Sequence, residues 1–152
     1  MTVYRLVRKK YGIQLSGIGA AKSGNRWNSR GTEIIYTSGS RALAMAEVAV
    51  HLSIAMMPSD YVMLEIDIDE TISQLLIDET SLDVNWNSFP HLRETQIIGD
   101  QFITDGVRCV LRVPSAVVPG DHNYLLNPRH ADFGRVVIKR YSDFKFDRRL
   151  FK

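Results

Sequence analysis

The stretch YVMLEIDID at residues 61–69 alternates apolar and polar side chains, placing Val62, Leu64, Ile66 and Ile68 on one face. A period of two marks a half-exposed β-strand with one buried face, and such a strand needs partners to bury it. The chain offers five more β-branched or aromatic runs: VYRLV (3–7), EIIYT (33–37), VRCVLRV (107–113), YLLN (124–127) and RVVIKRY (135–141). Helical spacing predicts only two helices. One runs over about 41–54, capped by Ser38 or Ser40 and stopped before Pro58, and the other over about 91–104. Residues 12–31 hold glycines at 12, 17, 19, 24 and 31 and read as one long irregular stretch, a length at which loops are functional or disordered. Residues 70–90, with Trp86, fit no single pattern. Strands outnumber helices and do not alternate with them as βαβ units, so the fold class is α+β, a mostly antiparallel sheet with a few helices. No repeat, low-complexity tract or linker divides residues 1–152, which predicts one domain.

Composition removes several function classes. A formal net charge of +2, with basic residues scattered rather than blocked, argues against direct nucleic-acid binding. Arg148 and Arg149 read as a solvated tail or a partner contact. Cys109 is the only cysteine, which excludes an intrachain disulfide and a thiolate cluster, and its place in VRCVLRV predicts a buried, inert thiol. No apolar run approaches the ~20 residues that cross a bilayer, and MTVYRLVRKK lacks the core of a signal peptide. A cytoplasmic protein without membrane contact is expected. His51, His91, His122 and His130 have no metal-ligand spacing, so no metal is expected.

The glycine-rich stretch invites nucleotide motifs, and two fail. GIGAAKSG starts as G-x-G but carries Lys22 where a dinucleotide fingerprint needs Gly or Ala. Gly19 and Gly24 have phosphate-loop spacing, but Asn25 and Arg26 stand where Lys and Ser/Thr belong. Ser115, Asp121 and His122 lack a nucleophile elbow, and neighbouring Asp and His are badly placed to orient one another.

RALAMAEVAVHL (41–52) is apolar nearly all round except for Glu47. Helical spacing puts Glu47 with Leu43, Ala46, Val50 and Ile54, the series of a buried stripe. Charges enter such surroundings only when paired or put to use. Glu47 is therefore either a structural ion pair with Arg26 or Arg41, or a carboxylate on a pocket floor aimed at a developing positive charge. NRWNSRG brings Arg26 and Trp27 to the end of the glycine stretch, and IIYTSGS brings Tyr36, Ser38 and Ser40 just before the same helix. Arg26 and the helix N-terminus favour anions. Trp27 and Tyr36 either stack on a flat heterocycle or pack in the core.

LSGIGAAKSGNRWNSRG, IYTSGSRALAMAEVAVHL, LRVPSAVVPGDHNYLLNPRH and FKFDRRL, in that order, resemble the RES domain family, named for an arginine, a glutamate and a serine. The resemblance maps those residues to Arg26, Glu47 and Ser115 and the family's tyrosine to Tyr36, and places Asn123, Asn127 and His130 at family positions. It implies a fold similar to ADP-ribosyltransferase toxins and a toxin of a bacterial toxin–antitoxin pair that consumes NAD+ as substrate, with no cofactor. The implied partner is an Xre-type helix-turn-helix antitoxin that blocks the active site. On that basis Glu47 stabilises an oxocarbenium-like ribose, Arg26 holds the pyrophosphate, and Tyr36 stacks on nicotinamide or shapes its pocket. Ser115 fixes a ribose or phosphate oxygen, and Trp27, Ser38, Asn123 and Asn127 bind substrate. The resemblance leaves the acceptor open between water, inorganic phosphate and a protein side chain. NAD+ depletion by hydrolysis or phosphorolysis ranks ahead of protein ADP-ribosylation, and a non-enzymatic antitoxin-binding module ranks third.

Overall fold

Seven strands form in the computed structural model, which describes residues 1–151: β1 (Thr2–Arg8), β2 (Ile35–Ser38), β3 (Tyr61–Ile68), β4 (Gln74–Leu76), β5 (Val110–Pro114), β6 (His122–Leu126) and β7 (Val136–Phe144). They build one sheet in the order β4-β5-β6-β2-β1-β3-β7. Only β4 and β5 run parallel, so the sheet is mostly antiparallel, as the strand-rich pattern predicts. The short β4 lies in the stretch that fitted no pattern. Its three residues are too few for a periodicity to register.

Val62, Leu64, Ile66 and Ile68 of β3 are essentially sealed from solvent and pack with Val3, Ile35 and Leu126. The opposite face of β3 is covered as well, which corrects the expectation of a half-exposed strand. Met63 is buried beside Leu6, Ala44 and Phe146, and Glu65 pairs with Arg41 at 2.9 Å and Arg140 at 3.4 Å. A further core of Trp27, Ile34, Trp86, Phe102, Leu111, Val113 and Leu125 fills the space around β5 and β6. Cys109 is buried as expected, and desolvation pushes its thiol up to about 11, where little reactive thiolate forms.

Three helices flank the sheet: α1 (Ile18–Ser23), α2 (Arg41–Ala49) and α3 (Arg93–Asp105). α1 is a single short piece of order inside the stretch read as irregular. Ser40 caps α2 by accepting the Leu43 amide at 3.0 Å. α2 stops at Ala49, five residues before the predicted end. The chain turns so that Leu52 joins Leu6, Ala44 and Met63, leaving Val50 and Ile54 58% and 48% exposed rather than in a buried stripe. α3 keeps nearly its predicted bounds and ends on Gly106, whose left-handed φ of 62° suits a glycine C-cap.

One seam in the sheet matters for function. β1 pairs with β3 along seven residues, but with β2 only at Tyr4↔Ser38. Beyond that pair the ladder is broken, and α2 packs across both strands beside the opening.

Candidate active site

A cavity of about 780 Å³ lies along the β1–β2 seam, lined by Tyr4 and Arg5 from β1, Tyr36 and Ser38 from β2, and Glu47 from α2. Its size falls within the range of small-molecule sites. Arg26, Trp27, His91 and Asn123 also border it.

Glu47 is held by one oxygen. Its Oε1 accepts from Ser115 Oγ at 2.7 Å and from Asn123 Nδ2 at 2.6 Å. Asn123 in turn accepts at Oδ1 from Ser38 Oγ at 2.7 Å, a pair set by the β2–β6 register. Ser115 Oγ accepts from the Val117 and Val118 amides at 3.1 and 3.0 Å, which leaves its proton for Glu47. Among the described residues Oε2 has no hydrogen-bond partner, so two short bonds fix Oε1 and leave this cavity-lining carboxylate one free oxygen. The structural ion-pair reading fails on geometry. Arg41 turns to Glu65, and Arg26 has no ion-pair contact with Glu47.

Arg26 is anchored by one nitrogen as well. Its Nη1 donates to the carbonyls of Trp86 and Ser88 at 2.9 and 3.0 Å, while Nε and Nη2 have no protein partner among the described residues. Burial lowers its pKa, and the nearby charge of Glu47 partly offsets that. The loop bearing it is tied from within and from α3. Asn28, fully buried, donates through Nδ2 to the carbonyl of Ala20 at 2.9 Å. Gln96 Nε2 donates to the Asn25 and Asn28 carbonyls at 3.1 and 3.2 Å, and Asp100 accepts from the Ser29 amide and hydroxyl at 2.9 and 2.5 Å. α3 lies so close at Gly99 that a Cβ there would sit 1.5 Å from the Trp27 carbonyl oxygen.

Several expected site residues take other parts. The Tyr36 ring lines the cavity, but its hydroxyl accepts the Trp27 amide at 3.1 Å and donates to Asn28 Oδ1 at 2.6 Å. Burial pushes its pKa far above the ordinary phenol value, so it stays a donor. Trp27 is 2% exposed and packs on Trp86 at 6.1 Å between centroids, so for Trp27 core packing dominates. Ser115 is buried, and its hydroxyl bonds Glu47 and two amides, so in this structure it positions the carboxylate. Asn127 lies outside the cavity. It follows the last residue of β6, takes the Arg129 amide on Oδ1 at 3.0 Å and shapes the turn to His130, which caps the next turn through Asp132.

Sequence reasoning missed Arg5. Its Nη1 donates to the Tyr36 carbonyl at 2.8 Å across the broken ladder, and its Nε is buried without a partner. Among the described residues no carboxylate pairs with it, and burial draws its pKa down to about 10. The signal was present in VYRLV, where alternation places Arg5 between Val3 and Val7 on an apolar face. An unpaired buried cation is costly unless something supplies an anion.

The model of the RES domain matches residues 2–147. The chain is 37% identical over 155 residues to "Toxin Res" of Photorhabdus laumondii subsp. laumondii, covering 100% of this chain and 98% of that protein. It is 34% identical over 152 residues to "Toxin Res" of Yersinia enterocolitica, covering 99% of each. It is 33% identical over 140 residues to the "Prs ADP-ribosylating toxin" of a Sphingobium species, covering 91% of this chain and 87% of that protein. Among solved structures, the M. tuberculosis MbcT-MbcA toxin-antitoxin complex contains a chain of similar fold, with a TM-score of 0.76 at 21% identity over 95% of this chain and 84% of that one.

Proposed function

The chain belongs to the RES domain family, and on that premise we propose that it is the toxin of a toxin–antitoxin pair that depletes NAD+ by cleaving the nicotinamide–ribose bond. The observation that carries this reading is Glu47, with Oε1 fixed by Ser115 and Asn123 and Oε2 free on the cavity wall.

The chemistry asks for such a group. As the ribose C1–N bond breaks, its electron pair moves to the ring nitrogen and nicotinamide leaves neutral, so no strong general acid is needed. Positive charge then develops on the ribose as an oxocarbenium-like species, as in glycoside hydrolysis. A carboxylate already oriented in a partly dehydrated site stabilises that charge without reorganising. Arg26 and Arg5 line the cavity with Tyr36 and supply guanidinium donors for the diphosphate. Water then adds through its oxygen and releases a proton, or inorganic phosphate adds through an oxygen to give a 1-phosphate.

Transfer to a protein side chain is the second reading, favoured by the ADP-ribosylating relative. A non-enzymatic antitoxin-binding module would have no use for a carboxylate held with one oxygen free. The structural neighbour is a toxin–antitoxin complex, and we infer for this chain an Xre-type antitoxin that covers the cavity mouth. No helix among the described residues is long and apolar enough to cross a membrane.

The test is product analysis of purified protein with NAD+, with and without inorganic phosphate. Nicotinamide with ADP-ribose identifies hydrolysis, and a phosphorylated ADP-ribose seen only with phosphate identifies phosphorolysis. Glu47→Gln should fold normally and lose roughly 10²–10³ in rate. Full activity in that variant would sink the assignment.

A further inference from the structure

His91 borders the same cavity from the loop before α3 and is used by nothing above. Its Nε2 lies 3.2 Å from Gln96 Nε2. The Gln96 amide cannot be turned round, because that nitrogen also donates to the Asn25 and Asn28 carbonyls at 3.1 and 3.2 Å. An amide NH₂ has no lone pair to give, so a proton on His91 Nε2 would face other hydrogens. The ring is therefore neutral with its proton on Nδ1, a tautomer assigned from its partners. Burial and the neighbouring Arg26 both depress its pKa, in agreement. Among the described residues Nδ1 has no protein partner, and it is not among the buried unpaired atoms. It is a hydrogen-bond donor left open beside a guanidinium.

We propose that His91 is a substrate-binding residue whose Nδ1–H donates to a phosphate oxygen engaged by Arg26, with the Gln96 amide NH₂, which offers no acceptor, keeping a proton off Nε2 so that the ring donates while uncharged. A neutral donor adds direction to the electrostatic pull of the arginine without adding charge that Glu47 would have to balance. The oxygen belongs either to the dinucleotide diphosphate or to free phosphate entering as acceptor. The inference rests on the NAD+ reading for the identity of the anion, and on the side chains alone for the anion site.

Two measurements test it. In ¹⁵N-histidine-labelled protein near neutral pH, His91 should show the neutral Nδ1-protonated pattern. The Nε2-protonated tautomer or an imidazolium there overturns the proposal. Calorimetric titration with ADP-ribose, inorganic phosphate and nicotinamide riboside gives the second readout. His91→Ala should weaken a phosphate-bearing probe by roughly tenfold to a hundredfold, and His91→Asn, which can offer an amide N–H near the Nδ1 position, should restore most of it. The riboside, lacking phosphate, should bind all three proteins alike. A loss for ADP-ribose alone assigns the donor to the diphosphate, and a loss for inorganic phosphate alone assigns it to the acceptor. Unchanged binding of both probes in His91→Ala refutes the role. NAD+ turnover is read separately, so an inactive wild type that still binds phosphate through His91 would sink the proposed function and not this site.

Discussion

Replacing Ser115 by alanine separates two roles for a residue that the family resemblance places in the site. Its hydroxyl gives one hydrogen bond to the Glu47 carboxylate and takes two from the Val117 and Val118 amides. Loss of a bond to a charged group costs about 1.5–3 kcal/mol, and the two amides lose their acceptor where water only partly reaches. Ser115→Ala should therefore lower stability by about 2–3 kcal/mol, seen as a lower denaturation midpoint at constant slope. Asn123 still holds Oε1, so Glu47 is loosened rather than lost. The expected result is a fall in kcat of roughly 10- to 100-fold, smaller than that for removing the carboxylate, with KM little changed. In a Glu47→Gln background the same change should cost almost nothing further, since its effect runs through Glu47. A raised KM with intact kcat would show instead that Ser115 bonds substrate directly. Full additivity with Glu47→Gln would equally refute the reasoning.

Two more substitutions probe the loop that carries Arg26. Gly99→Ala sets a Cβ 1.5 Å from the Trp27 carbonyl oxygen, a backbone atom that cannot rotate away, so α3 and the loop must part. It should destabilise by about 3 kcal/mol or more and raise KM for NAD+, while Ile97→Ala, at a 52% exposed position nearby, stays near wild type in melting and turnover. Tyr36→Phe keeps the ring but orphans the Trp27 amide and Asn28 Oδ1, so stability should drop by about 1–3 kcal/mol with a rise in KM. Wild-type stability and kinetics in that variant would show that only the ring matters.

The parts of the site legible in the sequence are those that break a local rule. Glu47 stands out because a lone carboxylate interrupts an apolar helix, and Arg26 because it follows a glycine stretch of unusual length. Ser115 and Asn123 break no local rule. Their meaning depends on β2–β6 register and on a turn that brings residue 115 over α2, which is tertiary information that reached the sequence reading only through resemblance. Asn127 shows the limit of that route. It shares strand parity with Asn123, but β6 ends at Leu126 and the side chain is spent on a turn. The end of α2 was misread because periodicity measures where apolar residues recur and not whether a wall exists to receive them. Val50 and Ile54 recur on schedule and face outward. Arg5 broke the alternation rule openly, yet a single arginine in a strand is usually an exposed one, and only the broken β1–β2 ladder shows where its head group goes.

The placement of charge in the cavity makes a last demand on the substrate. Arg5 and Arg26 both line the cavity near enough to bear on the Tyr36 phenol, while Glu47 offers its free oxygen from α2. NAD+ has the matching pattern, with two phosphate charges and a cationic nicotinamide ring. The reduced dinucleotide keeps the phosphates, but its dihydronicotinamide ring is neutral. Breaking its C–N bond would leave the electron pair on a nitrogen with no positive charge to quench, a far poorer leaving group. NADH should therefore occupy the cavity through its diphosphate and inhibit competitively, yet remain intact while NAD+ is consumed. Parallel incubations followed by chromatography decide the point. Release of ADP-ribose from NADH at a rate comparable to that from NAD+ would mean that loss of a neutral nicotinamide from a cationic ring is not the step Glu47 is placed to assist.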